Sequence, residues 1–270
     1  VHTAINNTGT LEADLIDMKV SLAENIYAKA VNTDGLIRNT KLVYEYGHIK
    51  IVADGGGIDH TGIISSNGLY GGEVLLSSTG NLMMMGDVVS EGSIQGGDVT
   101  ITSNSNTVLA DGSLTSAKGA GDFGTAGEIL IWSDNDTTFE TGAEIDVSGG
   151  DISGDGGFVE VSGKETVFYH GTAYGGANDG VDGTILIDPT DIIIANGGSY
   201  DPQAGQTFNG FGNIILQATN DITVNSAFDT NVATGNTGVN LTMEADRSIH
   251  VNAAITTHNA DITLTADKDG

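Results

Sequence analysis

The chain has 270 residues, 36 of them Asp or Glu against nine Lys or Arg, so its formal net charge is −27; it carries 40 Gly, two Pro and no Cys. Nine scattered cations cannot make the basic footprint of a nucleic-acid binder, and without cysteine a disulfide scaffold, a zinc ribbon and a thiol enzyme are all excluded. The longest apolar runs are four residues, Ile129–Trp132 among them, against roughly 18–20 for a membrane-spanning helix, yet Ile, Val and Leu recur too often for an acidic disordered tail.

Near the start, residues 10 to 34 contain no glycine. Leu11, Leu15, Met18, Leu22 and Ile26 fall on one helical face, while Ile16, Met18, Val20 and Leu22 stand at strand spacing. The β-branched content favours a strand over Ile16–Leu22, with a helical turn around Glu24–Ala30.

From Gly47 onward one short pattern returns: glycine, any residue, Ile or Val, any residue, then Ile, Leu or Val. It begins as Gly47-His48-Ile49-Lys50-Ile51 and reappears at Gly72, Gly97, Gly127, Gly157, Gly183 and Gly212, with looser copies after Gly238 and at Ala260. Its first aliphatic residues are Ile49, Val74, Val99, Ile129, Val159, Ile185, Ile214, Val239 and Ile262, spaced 23 to 30 residues apart. A unit of that length marks a solenoid. Shorter alternations fill the units, at Thr107–Ala110, Ser113–Thr115, Thr138–Glu140, Glu144–Val147 and Thr166–Tyr169, each closed by Gly, Asn, Asp or Ser. Two or three short strands with corners use up one unit and leave no room for helices. The predicted fold is therefore all-β: a parallel β-helix of about nine to ten rungs with 25–30 residues each. Its nine aliphatic positions stack as an interior ladder about 4.8 Å per step. No linker interrupts residues 1–270, so one continuous body is expected. Val1 is no initiator and the last residues stop inside a pattern, so both ends read as cuts through a longer chain.

Several segments carry a resemblance. Asn6–Ala13 (NNTGTLEA) and Val31–Arg38 (VNTDGLIR), Gly156–Gly163 (GGFVEVSG) and Thr184–Ile194 (TILIDPTDIII) resemble, in order, rungs of the filamentous-haemagglutinin-like exoproteins of bacterial two-partner secretion. The similarity runs over nearly the whole chain. It implies a right-handed parallel β-helix in a secreted or cell-surface protein outside the outer membrane. It also implies export through a dedicated outer-membrane barrel transporter and a role in adhesion, biofilm or contact with host or neighbouring cells, with glycans among the candidate receptors. The family's secretion domain is not recognisable, so the chain would be a shaft segment and not an enzyme. Two other functions stay open: a self-assembling fibre whose rungs join end to end through unpaired backbone, and a carbohydrate-active β-helix enzyme.

Four aspartates in Gly-rich turns, Asp151, Asp155, Asp179 and Asp182, are the candidates for Ca²⁺, which takes six to eight oxygens. Their spacing departs from the calcium nonapeptide template, and plain corner turns are the preferred reading. No other cofactor is expected. For catalysis, Asp54, Asp59 and His60 lie close in sequence, as do Asp188 and Asp191, but 36 acids make such pairs by chance, and His60 is expected at a solvated turn. Lys50, Lys118, Lys164 and Arg247 sit in different units. The six histidines (His2, His48, His60, His170, His250, His258) lack close metal-ligand spacing. Trp132 should point opposite Ile131 and pack at a corner rather than serve as a glycan platform. Asp188-Pro189 and Asp201-Pro202 end strands, and the sequons at Asn6, Asn135 and Asn240 are compatible with glycosylation. With the aliphatics inside, most of the −27 coats the exterior.

Overall fold

A computed structural model describes residues 3–21, 29–39, 47–202, 205 and 207–267. Strands of five to seven residues dominate it, most with in–out alternation: Glu73–Ser78 and Asp98–Ser103 both place every second side chain in the interior, whereas the last, Ile262–Ala266, has no neighbour beyond it among the described residues and leaves Ile262 and Leu264 exposed. That period of two suits a strand with one buried face. Ten such strands, Leu15–Ser21, His48–Asp54, Glu73–Ser78, Asp98–Ser103, Glu128–Ser133, Phe158–Gly163, Thr184–Pro189, Asn213–Ala218, Asn240–Ala245 and Ile262–Ala266, form one parallel sheet in chain order. We call it the long sheet. Each strand pairs with the one a turn earlier and a turn later, so the chain is a β-solenoid of about nine turns.

Within a turn the chain leaves the long sheet, makes a short strand of a second sheet, then one of a third, and returns by a loop. The second sheet has seven strands from Ile5–Asn7 to Thr166–Tyr169, and the third has eight from Thr10–Ala13 to Phe208–Asn209. The sequence-predicted ladder holds from Ile49 to Ile214: Val74 pairs with Ile49 and Val99, Ile129 with Val99 and Val159, and Ile185 with Val159 and Ile214. Ile16 extends it one step earlier. One rung is corrected. Leu241, not Val239, stands between Ile214 and Ile262. Gly238 lies three residues before the ladder position instead of two and turns at φ 79°, so Val239, though buried, occupies the corner place of Gly212. Counting from the glycine misphases this turn.

The glycines recur for a steric reason. From Glu73 to Asn240 each long-sheet strand opens with its first amide donating to the glycine carbonyl one turn below, as in Glu73 N to Gly47 O (2.8 Å), Glu128 N to Gly97 O (3.1 Å) and Thr184 N to Gly157 O (2.9 Å). A Cβ on Gly97, Gly127 or Gly157 would collide with the carbonyl oxygen of the glycine beneath it. Backbone on backbone cannot yield, so only glycine fits.

The strand predicted at Ile16–Leu22 is present as Leu15–Ser21; Leu22 and Glu24–Ala28 fall outside the described residues, while Lys29 and Ala30 begin a strand instead of ending a helical turn. An unpredicted five-residue helix, Thr230–Thr234, is capped by the Asp229 carboxylate, which accepts from the Asn231 and Val232 amides, and stops at Gly235 in the left-handed region.

The inner row of the second sheet changes character along the axis: Asn7, Thr33, His60, Met84, Leu109, Phe139, Tyr169. After Tyr169 the sheet is interrupted. Tyr200 bridges to both Tyr169 and Ile194, wedged between turns that would otherwise pair, and a three-stranded continuation follows from Ile192–Ile194 to Ser248–Val251. Rings fill this stretch. Phe139 and Tyr169 meet edge-on at 5.0 Å, Tyr200 stacks on Phe208 at 4.8 Å, and Tyr200 meets Phe228 at 5.5 Å.

Candidate functional site

The corner between the third sheet and the long sheet is where the turns differ most. Its loops are short at first and widen at residues 117–127, 147–157 and 175–183, yet each is fastened to the loop below. Gly68–Tyr70 and Gly92–Gln95 pair as small parallel strands. Thr125 N donates to Ile94 O (3.0 Å), Asp151 N to Gly121 O and Ile152 N to Asp122 O (both 2.8 Å), and Gly156 N to Val181 O (2.9 Å). Glycine, aspartate and serine make these bends because they tolerate turn geometry at little cost.

The four calcium candidates all lie on this corner, and their carboxylates are used in different ways. Asp155 Oδ1 accepts from Val181 N (2.8 Å). Asp182 accepts from Ala177 N at Oδ1 (2.8 Å) and from Asn236 Nδ2 at Oδ2 (3.2 Å). Asp151 and Asp179 are exposed, and Asp151 receives Asn178 Nδ2 at its backbone carbonyl (2.6 Å). Among the described residues no three His, Asp or Glu side chains converge on one point. The geometry is that of turns holding their neighbours.

Two open grooves flank these loops. One, of about 340 Å³, is lined by Ser148, Asp151, Tyr174, Asn178, Asp182 and Asn236. The other, of about 540 Å³, runs across four turns past Gln95, Asp98, Glu128, Asp155, Phe158 and Asp182. Partial burial, followed by the neighbouring Glu73 charge, raises the Asp98 carboxyl above its ordinary value. The Tyr174 phenol is likewise raised, by desolvation first and then by Glu144.

The proposed catalytic groupings do not assemble. Asp59 points outward and is ion-paired with Lys29, whereas His60 points inward. Adjacent strand residues face opposite sides, so sequence proximity here separates them. His60 is not at a solvated turn. It is fully buried, with Nε2 donating to the Asp87 carbonyl (3.0 Å) and Nδ1 accepting from Thr33 Oγ1 (2.8 Å). Burial lowers its pKa below 6.5, opposed by those hydrogen bonds. Asp188 faces outward from the long sheet, while Asp191 accepts the Asp221 amide across a corner (3.1 Å).

Basic groups clamp successive turns: Arg38 to Glu12, His48 to Glu73 (2.9 Å), Arg247 to Asp221 and His258 to Asp229 (3.0 Å). The Arg247 guanidinium, hydrogen-bonded to Asp221, holds that carboxyl below the usual range. Trp132 faces outward opposite Ile131, half-buried in line with Thr102 and Ser162, its indole N–H 3.4 Å from Asp134 Oδ1 in the adjoining corner turn.

Sequence reasoning missed the loop tips. Leu69, Ile94, Phe123, Ile152 and Val181, one in each of five successive turns, all stand in solvent. The available signal was an isolated large apolar residue inside each Gly- and Asp-rich loop, where no alternation gives it an inward place. Compared with known proteins, the chain matches no family model, no curated protein and no solved structure.

Proposed function

We propose that this chain is a shaft segment of a secreted or cell-surface filamentous exoprotein, adhesin-like in role, which carries other parts of its parent away from the cell toward host or neighbouring surfaces. The observation that carries the reading is the long sheet, ten strands in unbroken register from Leu15 to Ala266. A solenoid in which every turn seals the next spreads its stability along an axis instead of around one centre, which suits a spacer. Cross-turn ion pairs and the outward carboxylates add to it: like charge keeps strand-rich rods from associating sideways. In this reading the chain coils right-handedly and leaves the cell through a barrel transporter, for which a cysteine-free sequence is well adapted.

The test is immunogold electron microscopy of intact source cells with antibodies against the purified chain. Label along filaments outside the outer membrane is expected, together with weaker attachment of cells from which the coding segment is deleted. Label that appears only after permeabilisation would overturn the proposal.

A further inference from the structure

Three Asn–Gly pairs occur in the chain, Asn67-Gly68, Asn196-Gly197 and Asn209-Gly210. In such a pair the glycine amide nitrogen can close on the asparagine side-chain carbon, because glycine has no Cβ to shield it and reaches backbone conformations that other residues avoid. The reaction needs two freedoms. The asparagine side chain must be able to swing over the following peptide, and the glycine N–H must be able to give up its proton. The fold grants these freedoms to the three pairs unequally.

Asn67 and Gly68 are both tied to one residue of the next turn: Asn67 Oδ1 accepts from Glu91 N (2.8 Å), and Gly68 N donates to Glu91 O (3.1 Å). Asn209 lies in the short strand Phe208–Asn209, paired with Tyr174, and its carbonyl accepts from Gly175 N (2.9 Å). Gly210 N donates to Thr234 O (2.8 Å), and a Cβ there would stand 2.7 Å from the Gly176 backbone. Freeing either nitrogen means opening the ladder between turns, which yields only together with its neighbours. Asn196 and Gly197 differ on every count. They are the two central residues of a turn closed by Gly198 N donating to Ala195 O (2.9 Å), and both are exposed. Gly197 turns at φ 73°, and a Cβ on it would meet nothing within 4 Å. Among the described residues, neither the Asn196 side chain nor the Gly197 N–H has a hydrogen-bond partner.

We propose that Asn196 is a site of spontaneous deamidation, reacting faster in the folded chain than Asn67 or Asn209. Gly197 N forms a bond to Asn196 Cγ while the Cγ–Nδ2 bond breaks. The proton lost by Gly197 N passes through water to the departing Nδ2, which leaves as ammonia. Water then opens the resulting succinimide ring at either carbonyl. One opening gives aspartate, the other isoaspartate, whose main chain is longer by one methylene. Both products add a carboxylate to a chain whose net charge is already −27. The isoaspartyl product also lengthens the turn just before Tyr200, the residue wedged between turns. The inference does not depend on the chain being a shaft.

The experiment incubates the intact, folded chain at pH 8.5 and 37 °C and follows all three pairs by mass spectrometry after digestion with pepsin at low pH, which halts the reaction. Electron-transfer fragmentation separates aspartate from isoaspartate. Loss of the amide is expected at least tenfold faster at Asn196 than at Asn67 or Asn209. In the same chain unfolded in 6 M guanidinium the three rates should fall within threefold of one another, because only the fold separates them. A folded-state rate at Asn67 or Asn209 equal to that at Asn196 overturns the proposal. So does a tenfold preference that persists on unfolding, which would place the cause in the flanking residues. An Asn196 that stays intact in the folded chain while the unfolded chain reacts overturns it as well.

Discussion

The turns before residue 110 and those between Phe139 and Phe228 solve the same problem by different means. In the first region the inner row of the second sheet runs from Asn7, Thr33 and His60 to Met84 and Leu109, and glycine is required where one backbone crosses another: a Cβ on Gly72 or Gly97 would strike a carbonyl. In the second, the backbone constraint persists at Gly157, whose Cβ would strike the Gly127 carbonyl, and rings add a further one. A Cβ on Gly171 would enter the Phe139 ring and one on Gly175 the Phe211 ring. The first region shifts its register locally, between Lys29 and Val31 and between Gly92 and Gln95. The second accepts the Tyr200 wedge between turns and fills the disturbed interior with Phe139, Tyr169, Phe208 and Phe228, whose edge-on and stacked contacts cover more volume than Ile or Val. A solenoid can thus absorb an irregular insertion where its core is built of large rigid side chains.

The largest effect expected from this contrast is at the ring column. Phe139→Ala removes a fully buried ring that touches Tyr169, and should cost about 3–5 kcal/mol. Chemical denaturation with hydrogen exchange should place the weakening in the turns around residues 136–208. Loss confined to the turns before residue 110 would show that the two regions are not separable.

Next come the two kinds of glycine. Gly127→Ala sets a methyl against the Gly97 carbonyl and should cost about 3 kcal/mol, at the upper end for overpacking. Gly171→Ala meets a ring edge that can shift, so a smaller loss of about 1–2 kcal/mol is expected in equilibrium unfolding. The reverse order would mean that the rings are the more rigid element.

Extremes of pH should attack opposite ends. Buried His60 titrates below its unfolded value of about 6.5, so the unfolded chain binds its proton first. Its contribution is complete above that pH and is lost as pH falls through 6.5 toward the folded pKa. The phenols behave conversely. Burial pushes Tyr200 up to about 12 and Tyr169 well above 10, so their contribution is complete below pH 10 and fades as pH rises beyond it. Hydrogen exchange at pH 5.5 should therefore loosen the turns around His60 first, and at pH 10.5 those around Tyr169. In His60→Met, which copies Met84 in the next turn, the acid-specific loosening should disappear.

The features that were legible in the sequence are those fixed by the backbone. Gly97 or Gly127 must be glycine at its place whatever surrounds it, so the period, the parallel stacking and eight of the nine ladder residues followed. Where a side chain's meaning depends on the fold, the sequence was silent. His60 sits between Asp59 and Gly62, after three glycines at 55–57, surroundings that suggest a turn, and only the position of its strand relative to Met84 and Thr33 turns it inward. Leu241 was missed because Gly238 is displaced by one residue. Tyr200 lies in an aperiodic stretch, and the apolar loop tips lie where alternation ends. The calcium candidates were visible as acidic turns, but the use of Asp155 and Asp182 as acceptors for neighbouring loops required coordinates.

Charge divides the molecule at a third level, and gives the smallest effect. Residues 1–50 hold six acids and five Lys or Arg, whereas residues 51–246 hold 27 acids and only Lys118 and Lys164. Repulsion between exposed carboxylates on stacked turns is screened over about 10 Å at 0.1 M salt, a distance of two turns. Raising salt from 10 to 500 mM should therefore lift the melting temperature by a few degrees, roughly 2–4 °C. The gain in exchange protection should be confined to residues 51–246, because the first turns have nearly balanced charge and their ion pairs, Arg38 with Glu12 and Lys29 with Asp59, are weakened by the same screening. Uniform protection along the axis would show that the charge coat acts through the whole rod instead of turn by turn.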